Sequence, residues 1–433
     1  MKKALGIGLA GFGTVGSGVW ETLEKNSELI QARTGVQVSI NRIAVRDLTK
    51  AREGAAAELF TTDWQEVVND DSVQMVVELI GGTTTAFDIV SSALKLGKPV
   101  VTGNKALLAE RGAELFELSR QHNAPILFEA AIAGAIPIVK AIKDSFAGNR
   151  IESMAGIING TSNYILERMT DAGLDYKVAL AEAQELGYAE ADPTLDVNGW
   201  DAAHKAILLT SLAHGFVIDP ADVYVDGIEQ VRGTDIAFAK NLGYVVKLLC
   251  VMHTRPDGAV ELRTQASFIS QKHILSSVNG VFNAVAVTGD AAGESLFYGR
   301  GAGKGPTASS VVGDIIELAQ AMGQGSQPAG FLPYKPDGGL LPIEETETPY
   351  YVRFDVSDRP GVVADIAQVL AQHGIGISGT HSPVNSDDPD AEFVDMVFML
   401  HTCPWGKLQA TLSEVEKLDC INSAPVVFRI EAL

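Results

Sequence analysis

The stretch that decides the fold is Leu5-Gly6-Ile7-Gly8-Leu9-Ala10-Gly11-Phe12-Gly13-Thr14-Val15-Gly16-Ser17-Gly18-Val19-Trp20. From Ala4 to Leu9 it is a short apolar run of the kind a buried parallel strand shows. From Gly16 to Ala32 it becomes amphipathic and reads as a helix. Between the two, Gly11-Phe12-Gly13-Thr14-Val15-Gly16 matches G-x-G-x-x-G in the context that gives this pattern a mechanism. The first N–H groups of a helix have no intrahelical partner and are aimed at an anion such as a pyrophosphate. A tight turn without ligand is the plain alternative. The strand before and the helix after favour a nicotinamide-dinucleotide site made by Gly11, Phe12, Gly13, Thr14, Val15 and Gly16.

Outward from this turn, further short apolar runs alternate with helical patterns. Gln37 to Val45, Gln74 to Leu79, Pro99 to Thr102 and Pro125 to Phe128 read as strands. That alternation predicts a Rossmann-type, doubly wound parallel α/β sheet over residues 1–150. From Ile151 the pattern changes to helices at Ser162 to Ala172, Asp175 to Leu186 and Trp200 to Gly215, with strands at Glu261 to Ser270 and Val281 to Thr288. Residues 151–306 are therefore expected to form an α+β catalytic and dimerisation domain, and a helix at 307–322 to return to the first domain. Gly, Pro and acidic residues without periodicity make 323–348 a linker. The remainder, 349–433, reads strand (Tyr350 to Val356), turn (Asp358-Arg359-Pro360-Gly361), helix (Val362 to His373), strand (Ile375 to Ser378), strand (Glu392 to Leu400), helix (Lys407 to Lys417) and strand (Pro425 to Glu431), a βαββαβ order.

Hydrophobic residues at 46% and charged residues at 20% describe a chain able to bury a sizeable core, and 433 residues make several domains the natural prior. A net charge of −21 argues against nucleic acid or an anionic membrane as partner. Cys250, Cys403 and Cys420 have neither CxxC nor zinc spacing and read as buried thiols in a reducing cytoplasm. Lys2-Lys3 before an uncharged run imitates a signal peptide, but the glycines at 6, 8, 11, 13, 16 and 18 break an apolar helix. No segment approaches the roughly 18 apolar residues of a membrane span.

In NAD-binding versions of this fold an acidic residue about 20 residues beyond the glycines receives the adenosine ribose. Here the second strand ends in Ala44-Val45-Arg46-Asp47, with Lys50 and Arg52 following. Arg46 stands where a guanidinium meets a 2′-phosphate, which favours NADP, while Asp47 leaves NAD open.

The segment from Gly187 to Lys205 is dense in ionisable groups. In a helix starting near Trp200, Asp201 and Lys205 share a face at i, i+4, so a carboxylate can orient and tune an ammonium. Glu190 and Asp196 precede it. Carboxylates suit the amino group of a zwitterionic substrate, and a placed lysine suits proton transfer. An acidic helix start with an exposed ion pair is the bland alternative. Lys105 follows Thr102-Gly103-Asn104 at the carboxyl end of a strand, where ligands of such sheets bind. No cysteine lies in a motif offering the nucleophilic thiolate that oxidation of an aldehyde to an acyl phosphate needs, which points to alcohol and aldehyde interconversion.

Four ordered motifs resemble the homoserine dehydrogenase family: Thr102-Gly103-Asn104-Lys105-Ala106, Glu129-Ala130-Ala131-Ile132-Ala133-Gly134-Ala135-Ile136-Pro137, Gly156-Ile157-Ile158-Asn159-Gly160-Thr161-Ser162-Asn163-Tyr164, and the stretch from Gly187 to Lys205. The resemblance spans Ala4 to about Met322 and implies NAD(P)-dependent interconversion of L-homoserine and L-aspartate 4-semialdehyde, on the route to threonine, isoleucine and methionine. It makes Lys205 the proton donor to the aldehyde oxygen and Lys105 a second essential lysine near nicotinamide and substrate. It gives Glu190 and Asp201 to homoserine, with Asp196 in support, and Gly187 and Gly303 to the cofactor. The Glu129 segment resembles a monovalent-cation site, for sodium, formed by the Glu129 carboxylate and the carbonyls of Ile132, Gly134 and Ile136. A homodimer or homotetramer is implied as well.

The βαββαβ order and Asp358-Arg359-Pro360-Gly361-Val362 resemble an ACT domain. In this family that implies L-threonine as feedback effector, with a purely assembling module as the alternative. An amino-acid-sensing regulator without catalysis and another NADP-dependent amino-acid dehydrogenase are the competing readings of the whole chain.

Overall fold

In the computed structural model, which describes residues 3–50, 52, 54–335, 339–382 and 393–433, the glycine turn sits at the centre of a six-stranded parallel sheet. Its strands are β1 (Lys3–Ala10), β2 (Val36–Ala44), β3 (Phe60–Thr61), β4 (Met75–Glu78), β5 (Val100–Thr102) and β6 (Ile126–Leu127), in the order β3-β2-β1-β4-β5-β6. All neighbours pair parallel. This is the doubly wound arrangement whose chain reversal lies between β1 and β4, so the carboxyl ends of those strands open a crevice. The strands are apolar because helices cover both faces; Ile7, Leu9, Ile43, Met75, Val77 and Val101 are fully buried. The expected first helix is two, Thr14–Lys25 and Ser27–Thr34, with the break at Asn26, and β3 is a strand the periodicity did not show.

The chain divides into two compact units, and they cut across the sequence blocks. The first holds residues 1–160, 201–222 and 281–339. In it, the helix Lys304–Gly323 lies against Thr14–Lys25: a Cβ on Gly18 would meet Ala308 and Lys304 at 3.0 Å, and Ala308, Val311, Ile315 and Leu318 share one core with Leu5, Leu9 and Val19. The same unit contains the antiparallel strands Ile151–Ile157, Phe282–Gly289 and Gly293–Arg300.

The second unit holds residues 161–200, 223–280 and 340–433. The hairpin Tyr244–Thr254 and Val260–Ser270 joins the C-terminal segment through parallel pairing of Ser267 with Arg429. That segment is strand (Glu347–Ser357), helix (Val362–Gln372), strand (Ile377–His381), strand (Phe393–Pro404), helix (Trp405–Val415) and strand (Ile421–Glu431), as its βαββαβ pattern predicts; Glu392, where the sequence reading begins a strand, lies outside the described residues. The first of these strands lies between the last and the third, with the second at the edge, all antiparallel. Inside the unit Arg353 Nε reaches Asp235 Oδ1 at 2.8 Å and the Tyr351 hydroxyl donates to the same oxygen at 2.7 Å. Such buried contacts, together with the shared sheet, tie the C-terminal segment to its unit. Residues 336–338 of the expected linker lie outside the described residues; Ile343–Glu345 within it is a short 3-10 turn. Cys250, Cys403 and Cys420 are buried, and none of the three is in a disulfide. Among the described residues no helix is long and apolar enough to cross a membrane.

Candidate active site

Each glycine of the turn has its own reason. Gly11 adopts φ +102, and a Cβ there would stand 2.7 Å from the Leu79 carbonyl oxygen. A Cβ on Gly16 would fall 2.1 Å from the Gly11 oxygen, so only glycine lets the helix start this close to the strand. Gly13 is different: a Cβ would touch nothing within 4 Å. It is exposed, its N–H is at the start of Thr14–Lys25, and as the N-cap it brings no side chain to that helix start. Space and uncapped amides together make a cradle into which an anion fits. Phe12 and Val15 are packing residues, with the Phe12 ring edge-on to Phe60 at 5.2 Å and to Trp20 at 6.4 Å. Gly11 N–H donates to Ala44 O at 2.9 Å, which sets the end of β2, and hence Arg46, beside the turn.

Three residues distant in sequence meet around one carboxylate in the same unit. Asp201 and Lys205 are on the helix Trp200–His214, and Lys205 Nζ lies 2.6 Å from Asp201 Oδ2. The other oxygen, Oδ1, takes Lys105 Nζ at 3.1 Å. Asn159 Nδ2 donates to Asp201 Oδ2 at 2.7 Å, and Lys205 Nζ donates to the Ile158 carbonyl at 2.7 Å. Burial works against the Asp201 charge, yet the ammonium groups of Lys205 and Lys105 hold its carboxyl well below the usual carboxylate range. Side-chain exposure of 11% for Lys205 against 34% for Lys105 makes one lysine fixed and the other reachable from solvent. His204, alongside, is pushed below its ordinary value by burial. Lys105 opens the helix Lys105–His122, whose N-cap Asn104 accepts from Leu107 N–H at 3.1 Å, worth about 1 kcal/mol.

A glycine cradle at a Rossmann crevice and a carboxylate with two ammonium groups describe a dinucleotide-dependent oxidoreductase site, and comparison with known proteins supplies the family. Residues 11–129 match the family model described as the NAD-binding domain of homoserine dehydrogenase, and residues 137–316 match the homoserine dehydrogenase model. A homoserine dehydrogenase of Pseudomonas aeruginosa is 40% identical over 438 residues, covering 100% of both chains. The chain belongs to the homoserine dehydrogenase family. The crystal structure of a homoserine dehydrogenase from Thiobacillus denitrificans is 40% identical, covers 99% of this chain and 98% of its own, and superposes with a TM-score of 0.92. A hyperthermophilic archaeal homoserine dehydrogenase mutant in complex with NADPH is 26% identical, covers 72% of this chain and 97% of its own, with a TM-score of 0.61. As a member of the homoserine dehydrogenase family, the chain is an oxidoreductase acting on a CH–OH group and carries a nucleotide-binding domain.

The remaining residues named from the sequence divide between the two units. Arg46 is exposed just beyond β2. Asp47 is engaged locally, accepting from Thr49 N–H at 2.8 Å and the Thr49 hydroxyl at 2.7 Å, which lowers its pKa. Gly303, φ +120, is the uncapped N-cap of Lys304–Gly323, whereas a Cβ on Gly301 would run into Asn283; the two glycines are thus told apart by space, Gly303 having room and Gly301 none. In the second unit, Gly187 adopts φ +73 after the helix Tyr176–Glu185. There Glu190 is exposed with its carbonyl accepting from Gln184 Nε2 at 3.2 Å, and Asp196 lies in the short helix Thr194–Val197.

The Glu129 carboxylate is engaged by the backbone: Oε1 accepts from Val139 N–H and Oε2 from Lys140 N–H, both at 2.9 Å, capping the helix start that would otherwise bury unpaired amides, and each oxygen keeps a further lone pair. The residue's own N–H donates to Asp314 Oδ2 at 2.9 Å. The carbonyls named with it are hard oxygen donors too. Ala133 and Gly134 have φ of +51 and +56, which curls the backbone through 132–136, and Gly134 O takes one hydrogen bond, from the Ser310 hydroxyl at 2.6 Å, leaving a second lone pair. Sequence reasoning assigned no role to Asn159 or Glu78. Asn159 was inside a recognised motif, and Glu78 was visible only as a charge closing the apolar run of β4.

Proposed function

We propose that the chain interconverts L-homoserine and L-aspartate 4-semialdehyde with NADP as the preferred dinucleotide, and that Lys205 moves the proton at the substrate oxygen. The observation that carries this is the one carboxylate of Asp201, mostly shielded from solvent, held between Lys205 at 2.6 Å and Lys105 at 3.1 Å. When bound, the nicotinamide supplies the hydride acceptor or donor at C4 of the substrate. Lys205 gives its proton to the aldehyde oxygen in reduction and takes the hydroxyl proton in oxidation. Lys105, the more exposed ammonium, stabilises the negative charge that develops on that oxygen. Asp201 keeps both lysines in place and serves the amino group of homoserine; Glu190 is assigned to that amino group, and Asp196 to its support.

The dinucleotide is assigned to the Gly11 to Gly16 turn, with Gly187 and Gly303 as further contacts. NADP preference rests on exposed Arg46 and on Asp47 being tied to Thr49. It is consistent with NADPH in the archaeal relative. A monovalent cation, sodium, is assigned to the Glu129 carboxylate and the carbonyls of Ile132, Gly134 and Ile136.

The C-terminal segment is read as an ACT module that binds L-threonine and inhibits turnover. Its strand order supports that reading. A homodimer or homotetramer completes the reading. The rate ratio with NADP and NAD, measured with and without L-threonine, tests it: faster turnover with NADP and inhibition by threonine are expected.

A further inference from the structure

Glu78 closes β4 at the carboxyl edge of the parallel sheet and is fully buried. A carboxylate in such a place is costly unless its oxygens are matched by donors, and an apolar residue of similar volume would pack there at lower cost. The donors are present. Oε1 accepts from Ile80 N–H at 2.8 Å and from Gly81 N–H at 3.3 Å, and Oε2 accepts from the Thr102 hydroxyl at 2.6 Å. That hydroxyl in turn accepts from Asn104 N–H at 3.0 Å. Asn104 then does two things: Oδ1 caps the helix beginning at Lys105, and Nδ2 donates to Gly82 O at 2.7 Å. The chain of bonds closes on itself, from the loop after β4 to the turn after β5 and back. Both Gly81 and Gly82 adopt φ of +73, so this loop has little conformation of its own to hold it without the carboxylate.

We infer that Glu78 is a positioning residue for the reaction: through Thr102 and Asn104 it fixes the first turn of the Lys105 helix and so keeps the Lys105 ammonium on Asp201. The inference rests on the role proposed for Lys105. Lys105 sits at the very start of its helix, so a small tilt of the capping turn displaces Nζ by the ~1 Å that costs an enzyme of the order of 100-fold in rate. Burial pushes the Glu78 carboxyl above its ordinary value, while the three donors favour the ionised form.

The test compares Glu78→Gln, Thr102→Val, Thr102→Ser and the Glu78→Gln/Thr102→Val double variant with Lys105→Ala. The readouts are kcat and KM for L-homoserine, the dissociation constant of NADPH by fluorescence titration, and thermal melts. Glu78→Gln and Thr102→Val are each expected to lower kcat about 10- to 100-fold, with KM and NADPH affinity within about threefold of the parent. Thr102→Ser, which keeps the hydroxyl, stays close to the parent. The double variant falls no further than the worse single one, because both cut the same connection. Losses that multiply, losses confined to NADPH affinity, or unchanged kcat in Glu78→Gln and Thr102→Val overturn the inference. If Glu78→Gln does not fold, the Thr102→Val and Thr102→Ser pair decides alone. Ordinary turnover in Lys105→Ala instead removes the reading beneath it, whereas an inactive Lys105→Ala beside a fully active Glu78→Gln removes only the role of Glu78.

Discussion

Asp201 and Lys205 lie one helical turn apart and meet at 2.6 Å, and the second oxygen of the same carboxylate reaches Lys105, which comes from a different element. A carboxylate shared in this way sets the separation of two ammonium groups around one space. Lys205→Ala and Lys105→Ala are each expected to lower kcat by about 100-fold or more while circular dichroism shows the native fold, since loss of a positioned acid or base costs about 10²–10⁴. Near-normal kcat in either variant removes that lysine from the chemistry.

Removing the shared carboxylate affects stability as well as rate. Asp201→Asn leaves Lys205 buried without its counter-charge, a change expected to cost about 3 kcal/mol. The sign with pH follows from the depressed Asp201 carboxyl: its stabilisation is complete above the unfolded value of about 4 and is lost as pH falls further. Denaturation of parent and variant should thus differ by a constant amount from about pH 5 to 8 and converge in stronger acid. A gap that widens on acidification contradicts this.

Two glycines of the turn should fail in opposite ways. Gly16→Ala forces a Cβ 2.1 Å from the Gly11 oxygen and is expected to lower the melting temperature by several degrees or prevent folding. Gly13→Ala places a methyl in open space, so the protein stays folded while the dinucleotide dissociation constant rises about tenfold or more. Titration of Gly13→Ala with NADPH, alongside a melt, separates the two outcomes; unchanged affinity means that the cofactor does not approach Gly13.

Arg46→Ala is expected to weaken NADP by about tenfold and leave NAD nearly unchanged, as loss of a charge-assisted contact of about 1.5 kcal/mol requires. Steady-state kinetics with both cofactors measure this directly. Equal losses for the two dinucleotides would place Arg46 away from the 2′-phosphate.

Glu129 offers a pH prediction of opposite sign to that of Asp201. Burial lifts its carboxyl to about 7 and that of Asp314 to about 6. Between the ordinary carboxylate range and these values the folded chain holds more protons than the unfolded one, so stability declines as pH rises from about 4.5 to 7 and levels off above. Melting curves across that window should show the decline in the parent and a shallower one in Glu129→Gln.

What the sequence made legible was local. The glycine turn, the i, i+4 spacing of Asp201 and Lys205, and the alternation of the C-terminal segment each depend on neighbours a few residues apart. The approach of Lys105 to Asp201 depends on the whole sheet and entered only through family resemblance. Glu78 and Thr102 are 24 residues apart, and Asn159 and Asp201 are 42 apart, so no periodicity joins them. The strand Tyr244–Thr254 escaped because a continuous apolar run suits a buried helix as well as a strand. The membership of the C-terminal segment in the second unit follows from its pairing with Val260–Ser270, a register that no local pattern encodes. The hydrogen bonds that Val139 N–H and Lys140 N–H donate to the Glu129 carboxylate are likewise invisible in the sequence.

The central claim is that these residues oxidise homoserine with NADP, and the most direct measurement is NADPH formation at 340 nm by the purified chain given L-homoserine and NADP, with Lys205→Ala run beside it. The account predicts homoserine-dependent NADPH formation in the parent and its near disappearance in the variant. No NADPH with saturating homoserine, or equal rates in the two proteins, would contradict it.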